Sequence, residues 1–153
     1  NYALYPYDAD ATFTGGVVTT TLQPTQTYNG AYGNLGYALM AAKSATNNFS
    51  FRNAGSLLRF KLSKIVPDEF TLNSIKVASA SNNIAGEVTI NLNNTEAKAI
   101  VTSNGVKEIT LADINYAVTT DVKEFYVAMP SMSFADKDLT VTFIFWLIFI
   151  SVE

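Results

Sequence analysis

Between Phe49 and Leu92 the chain alternates apolar and polar positions with a period of two. Leu58, Phe60 and Leu62 are separated by Arg59 and Lys61. Ile75 and Val77 flank Lys76. Val88, Ile90 and Leu92 are separated by Thr89 and Asn91. Such alternation puts one set of side chains on each face of a strand. Several strands that each bury one face need a second layer to cover them. The pattern therefore predicts an all-β sandwich.

The rest of the chain supplies more strands and the turns between them. Tyr2 to Tyr7 reads as a short aromatic strand that Pro6 pushes to a sheet edge. Asp8 to Gly16 reads as a turn, and Val17 to Leu22 as a β-branched strand. Gln23 to Gly36 holds Pro24, Gly30, Gly33 and Gly36 with Tyr28 and Tyr32 interleaved, and reads as a long loop. Tyr37 to Ala42 is a short strand. Asn47-Asn48 and Asn53-Ala54-Gly55 are turn signals. Strands follow at Leu57 to Leu62, Leu72 to Ser79 and Gly86 to Leu92. They are linked through Val66-Pro67-Asp68-Glu69, which has room for one helical turn, and through Ser81-Asn82-Asn83. Ala97 to Thr102 and Lys107 to Leu111 read as a hairpin about Ser103-Asn104-Gly105, whose Asn-Gly pair tolerates positive φ. Val122 to Met129 places Phe125, Val127 and Met129 on one face and stops at Pro130. Leu139, Val141 and Phe143 open the last strand. Turn signals recur roughly every eight to twelve residues, as in all-β sandwiches.

The alternation fails at Phe143 to Ile150, which is apolar on both faces. A membrane-spanning helix needs about 20 apolar residues, so this run is too short to be one. It reads either as a final strand buried on both sides or as a segment that pairs with another chain. A third reading is a tail that does not continue the domain naturally.

Composition narrows the chemistry. The 153 residues are 48% apolar and 15% charged, with a net charge of −3. That is enough for one domain with a real core and too apolar for disorder. Arg52 and Arg59 are its two arginines, and no basic run exists. A nucleic-acid partner is not expected. With no cysteine and no histidine, disulfides, thiolate catalysis, zinc–sulfur sites and the commonest general base are excluded. We expect no cofactor and no metal. The chain starts on strand-like Asn1-Tyr2-Ala3 without a leader. Residues 1–153 therefore read as a single β-sandwich domain, an N-terminal fragment of a longer protein whose export signal lies outside it.

Few residues stand out as candidate sites. Asp8 and Asp10, and Asp136 and Asp138, form Asp-x-Asp pairs whose oxygens suit a hard cation or, more simply, a turn. Asp113, Asp121 and Glu124 offer carboxylates, but nothing pairs them as a glycosidase requires. Asn48-Phe49-Ser50 and Asn93-Asn94-Thr95 match the glycosylation sequon, a tripeptide short enough to arise by chance. Tyr28, Tyr32 and Tyr37, with Asn29 and Asn34 between, form the best candidate ligand loop. Tyrosine faces stack on sugar rings, and Asn supplies amide hydrogen bonds. The competing reading is that these rings pack back onto the sandwich.

Several segments carry a family resemblance when taken in order. They are Tyr2-Ala3-Leu4-Tyr5-Pro6-Tyr7, Leu22-Gln23-Pro24-Thr25-Gln26-Thr27-Tyr28 and Leu39-Met40-Ala41-Ala42-Lys43-Ser44. After these come the run from Phe49 to Leu62, Ser74-Ile75-Lys76-Val77, Ile84-Ala85-Gly86-Glu87-Val88 and Glu124-Phe125-Tyr126-Val127-Ala128-Met129-Pro130. From Tyr2 to Phe143 the series resembles the fimbrillin-like surface proteins of Bacteroides. The resemblance implies a Greek-key, transthyretin-like β-sandwich, exported as a lipoprotein to the outer membrane. It also implies a role as stalk, tip or anchor subunit of a fimbria (pilus), or as a related cell-adhesion protein. Subunits of that family join when a strand of one completes the sheet of the next. The lipid-bearing cysteine would lie upstream of Asn1, so a membrane would be met only through an anchor outside this chain. The family continues past Val141 into a polar segment and a second domain, and Phe143 to Ile150 departs from that.

The expectation is a non-enzymatic structural and adhesive domain. Its partners would be other fimbrial subunits, or host and glycan ligands at the cell surface. Assembly is expected along two strands, through Tyr2, Leu4 and Tyr5 and through Leu139, Val141, Phe143, Phe145 and Leu147. The alternative is a glycan-binding module of a nutrient-capture system, with Tyr28, Tyr32 and Tyr37 as its platform.

Overall fold

A computed structural model describes residues 1–30, 35–66, 68–134 and 138–147. The chain is an all-β sandwich, with no α-helix among the described residues. Its strands are β1 (Tyr2–Tyr5), β2 (Thr12–Thr14), β3 (Val17–Leu22), β4 (Thr25–Thr27), β5 (Met40–Lys43), β6 (Arg52–Asn53) and β7 (Gly55–Leu62). They continue with β8 (Phe70–Ser79), β9 (Ala85–Asn91), β10 (Ala99–Val106), β11 (Glu108–Ala112), β12 (Tyr116–Ala117), β13 (Lys123–Pro130) and β14 (Leu139–Leu147).

The ladders run β1-β5-β6, β10-β9-β3-β2 and β13-β7, with a larger one built around β8. There β14 pairs along the full length of β8, so β11 and β12 must take its other edge, and β4 lies beyond β11. The pairs are antiparallel except β11 with β4. Two cores result. Leu72, Ile75 and Val77 of β8 and Ile109 and Leu111 of β11 pack with Phe125, Val127 and Met129 of β13. Val18 and Leu22 of β3 and Val88 and Ile90 of β9 pack with Ala41, Ala54 and Ala128. The small side chains of Ala41, Ala54, Ala97, Ala99 and Ala128 in the second core let its layers approach closely.

Leu72 and Ile75 are three residues apart, yet both are fully buried in one core. A strict period of two forbids this. The ladder explains it: Ile144 pairs Ser74 while Phe145 pairs Leu72, so Asn73 is the extra residue of a bulge. Its carbonyl accepts from the Ile114 N–H at 3.0 Å.

One buried side chain ties two ladders together. Gln26 of β4 is 0% exposed. Its Nε2 donates to the Ala128 carbonyl at 2.8 Å, and its Oε1 accepts from the Ala128 N–H at 2.9 Å. The amide thus does for β13 what a neighbouring strand's backbone would do.

The structure corrects several local expectations. Thr12–Thr14 and Thr25–Thr27 are strands inside segments that read as turn and loop. β4 pairs remote β11, so local sequence carries little signal for it, whereas β2 forms a tight hairpin with β3 across Gly15-Gly16, both at positive φ. Asn53-Ala54-Gly55 is no reversal. β6 runs into β7 through Ala54, whose N–H donates to Leu39 O at 2.9 Å. The 97–111 hairpin does not form. β10 continues through Ser103-Asn104-Gly105 and pairs β9, while β11 joins β8 and β4. Asn104 does adopt positive φ (49°), but within a bulged ladder. Gly86 faces it at φ +123°, where a Cβ would lie 2.5 Å from the Asn104 carbonyl oxygen. Only glycine permits that approach. Residues 63–66 and 68–69 connect β7 to β8 without a helical turn, and Pro67 lies outside the described residues.

Replacing Gln26 by Leu leaves the buried N–H and C=O of Ala128 unpaired, at about 1–3 kcal/mol for each. We expect Gln26→Leu to lose about 2–6 kcal/mol in chemical denaturation. Gln26→Glu should lose more at neutral pH than in mild acid, because only the protonated acid can donate to the Ala128 carbonyl. A near-neutral Gln26→Leu would show that the amide is not the tie.

Candidate functional site

β14 forms an outer edge of its sheet. Its inner edge is occupied by β8, and its outer edge has no ladder partner among the described residues. Leu139 and Phe143 are half-buried against the first core. Phe143 meets Phe60 of β7 edge-on at 5.8 Å, and Phe145 meets Phe70 edge-on at 5.2 Å. β7 likewise pairs only β13 among the described residues, and its Leu58, Phe60 and Leu62 are half-buried. Two strand edges thus meet at a seam lined by incompletely covered phenylalanines. The tail is not buried on both faces: Val141, Ile144 and Phe145 are more than one-third exposed, and Trp146 is 61% exposed. Nothing is stated of the Leu147 side chain, and 148–150 lie outside the described residues.

The register of β14 is anchored at its first turn. Asp138 is 4% exposed, yet carries a carboxylate. One oxygen accepts from the Ser81 hydroxyl at 2.7 Å and the Ser81 N–H at 2.9 Å. The other accepts from Asn82 Nδ2 at 2.8 Å and the Ser79 hydroxyl at 2.9 Å. The Asp138 carbonyl accepts from the Ala80 N–H at 2.9 Å. The Ser81 hydroxyl, then Asn82, Ser79 and the Ser81 N–H, outweigh burial and hold the carboxyl down at about 2. This carboxylate was legible only as half of an Asp-x-Asp pair. Its role depends on a turn 57 residues away. Asp136 lies outside the described residues.

β1 is an edge strand too, pairing only β5 among the described residues. It is better covered than β14. Tyr2 stacks on Phe13 of β2 at 5.9 Å, and Tyr2 and Leu4 are half-buried against the second core. Tyr5 is 42% exposed.

Tyr5 instead lines a cleft of about 820 Å³ with Thr27, Tyr28, Asn29, Gly30, Leu35, Gly36 and Tyr37. Two of the three loop tyrosines come together here, and Tyr32 lies outside the described residues. Both described rings also serve the fold. Tyr28 packs on Phe125 at 5.4 Å, and the Tyr37 hydroxyl accepts from the Thr27 N–H at 3.0 Å. A second cleft, about 410 Å³, shares Gly36 and Tyr37 and is lined by Pro6, Tyr7 and Asp8. The participation of Tyr5 and Tyr7 was not foreseen, because they reach the loop through the end of β1.

The remaining carboxylates have local work. Asp8 accepts from the Thr20 hydroxyl at 2.6 Å and the Asp10 N–H at 3.0 Å. These bonds, Thr20 foremost, hold its carboxyl below the ordinary value. Glu124 accepts from the Tyr126 hydroxyl and faces Lys61 at 3.4 Å and Arg59 at 3.8 Å. Asp113 and Asp121 are exposed. No group of three or more His, Cys, Asp or Glu placed to hold a metal occurs among the described residues.

The lowered pKa of Asp138 fixes a sign. Its contribution to stability is present above the unfolded value near 3.8 and is lost as pH falls through about 2. We expect the melting temperature to drop between those limits, and Asp138→Asn to flatten that part of the profile while lowering stability at neutral pH. An unchanged acid limb in Asp138→Asn would show that the carboxylate is not held by this network.

Comparison of the chain with protein-family models, with curated proteins and with solved structures gives no match.

Proposed function

We propose that this chain is a structural and adhesive subunit domain of a cell-surface fimbria, a transthyretin-like Greek-key sandwich that assembles by strand addition. The outer edge of β14 supports the reading most. It is nine residues long, it lacks a ladder partner among the described residues, and it carries half-buried Phe143 beside exposed Ile144, Phe145 and Trp146. An extended apolar edge of this kind templates another strand. The series of segments that resembles fimbrillin-like proteins points the same way. In this reading the protein is exported to the outer membrane surface, with its lipid anchor outside the chain.

The occupant we assign to the edge is an extended strand of a second copy. β14 and β1 are different edges in different ladders. Joining β14 of one copy to β1 of the next is heterologous, so it propagates as an open chain. Joining β14 to β14 is isologous and closes a dimer.

Sedimentation velocity across a concentration series tests this. Oligomers should grow with concentration. Trp146→Lys should leave a monomer of unchanged melting temperature, since that side chain is 61% exposed. A wild-type protein that stays monomeric, or one that stops at a dimer, overturns the fimbrial reading.

A further inference from the structure

We infer that the paired clefts around Tyr37 form a binding site for a neutral oligosaccharide. This goes beyond assembly and does not rest on it. The larger cleft has the volume of a small-ligand site, about 820 Å³ against roughly 300–1,000 Å³ for such sites. The smaller one adjoins it through Gly36 and Tyr37. Together they place Tyr5, Tyr7, Tyr28 and Tyr37 along one continuous surface.

The lining chemistry selects the ligand class. No charged side chain lines the larger cleft among the described residues. Asp8, the charged residue described in the smaller one, already accepts from Thr20, Thr21 and Asp10. An anionic ligand would find no counter-charge among the described residues. The aromatic rings are well presented: Tyr7 is 86% exposed and Tyr5 42% exposed. Tyr28 and Tyr37 are fixed by contacts that leave their outer parts available, because both remain only half-buried.

The hydroxyls add the polar half of the argument. The Tyr37 oxygen accepts from Thr27, but its hydrogen has no acceptor among the described residues. The hydroxyls of Tyr5, Tyr7 and Tyr28 have no hydrogen-bond partner among those residues either. Tyrosines whose rings and hydroxyls both face a cleft suit a ligand with apolar C–H faces and a rim of hydroxyls. A pyranose has both. Thr27 lends a further hydroxyl. Two adjoining clefts fit successive sugar units better than a single ring.

A panel of short neutral oligosaccharides (glucans, xylans, mannans and galactans) tests the assignment by calorimetric titration, at a protein concentration where the chain is monomeric. We expect at least one to bind in the micromolar to millimolar range. Tyr5→Ala and Tyr7→Ala should each weaken it about tenfold, with unchanged melting temperatures. Tyr7→Phe should keep most of the affinity that stacking supplies. No binding by the wild type at millimolar sugar overturns the inference. So does binding indifferent to both alanine variants, or a proline-rich peptide that binds these tyrosines where no sugar does. Oligomer formation is read separately, so either proposal can fail without the other.

Discussion

Every backbone N–H and C=O at the margin of a sheet needs a partner, and the way each margin of this sandwich meets that demand decides what the molecule presents to others. On the margin of β13 the partner is Gln26, whose amide reproduces the donor and acceptor of a peptide unit at Ala128. A side chain can do this where a strand cannot reach. It also holds β4 of one ladder against β13 of another. A buried amide left unpaired would be destabilising, so the bond is an all-or-none feature of the fold. The margin of β1 has no ladder partner among the described residues, and Tyr2 stacked on Phe13 covers side-chain surface beside it without pairing its backbone.

The margin of β14 is shaped by two register devices. The Asn73 bulge brings Leu72 and Ile75 onto one face, opposite Phe145 and Phe143. Without it, one of the two phenylalanines would face a polar partner. The Asp138 carboxylate fixes the other end by holding the 79–82 turn through Ser79, Ser81 and Asn82. A slip of one residue would turn Phe143 and Phe145 outward and bring Ile144 in. Anchor and bulge together hold β14 in a single register even though one of its edges is bare.

The long strands were legible because alternation and burial coincide in them. Leu58, Phe60 and Leu62 face the core, as do Phe125, Val127 and Met129. The expected β8 and β9 differ from the observed strands by two residues or fewer at each end. What failed was partner choice. Asn104-Gly105 has the local signature of a hairpin, but its conformation is met by a bulge against Gly86. The short strand β4 is defined by a remote ladder with β11, which no local window contains, whereas β2 folds back on β3 through the adjacent Gly15-Gly16. Of the site, the apolar character of β14 could be read directly, whereas its bare edge depends on which strands pair β8. Tyr28 and Tyr37 could be named as a pair. Tyr5 and Tyr7 joined them only because β1 ends beside the loop. Gln26 gave no signal, since a glutamine in a loop-like segment is ordinarily solvated.

The two edges at the open seam are not equivalent. β7 carries Arg59 and Lys61 on its exposed face, each more than half exposed and drawn toward Glu124 of β13. Charged side chains on an edge strand deter a neighbour's backbone, because an incoming strand must desolvate them. β14 has no charged residue between Leu139 and Leu147. Its exposed positions are threonine, valine, isoleucine, phenylalanine and tryptophan, the residue types that pair best across strands. A strand approaching the seam therefore loses less hydration on β14, and gains contact with Phe143 and Phe145 there. The asymmetry makes β14, rather than β7, the edge of the seam on which the proposed strand addition would take place.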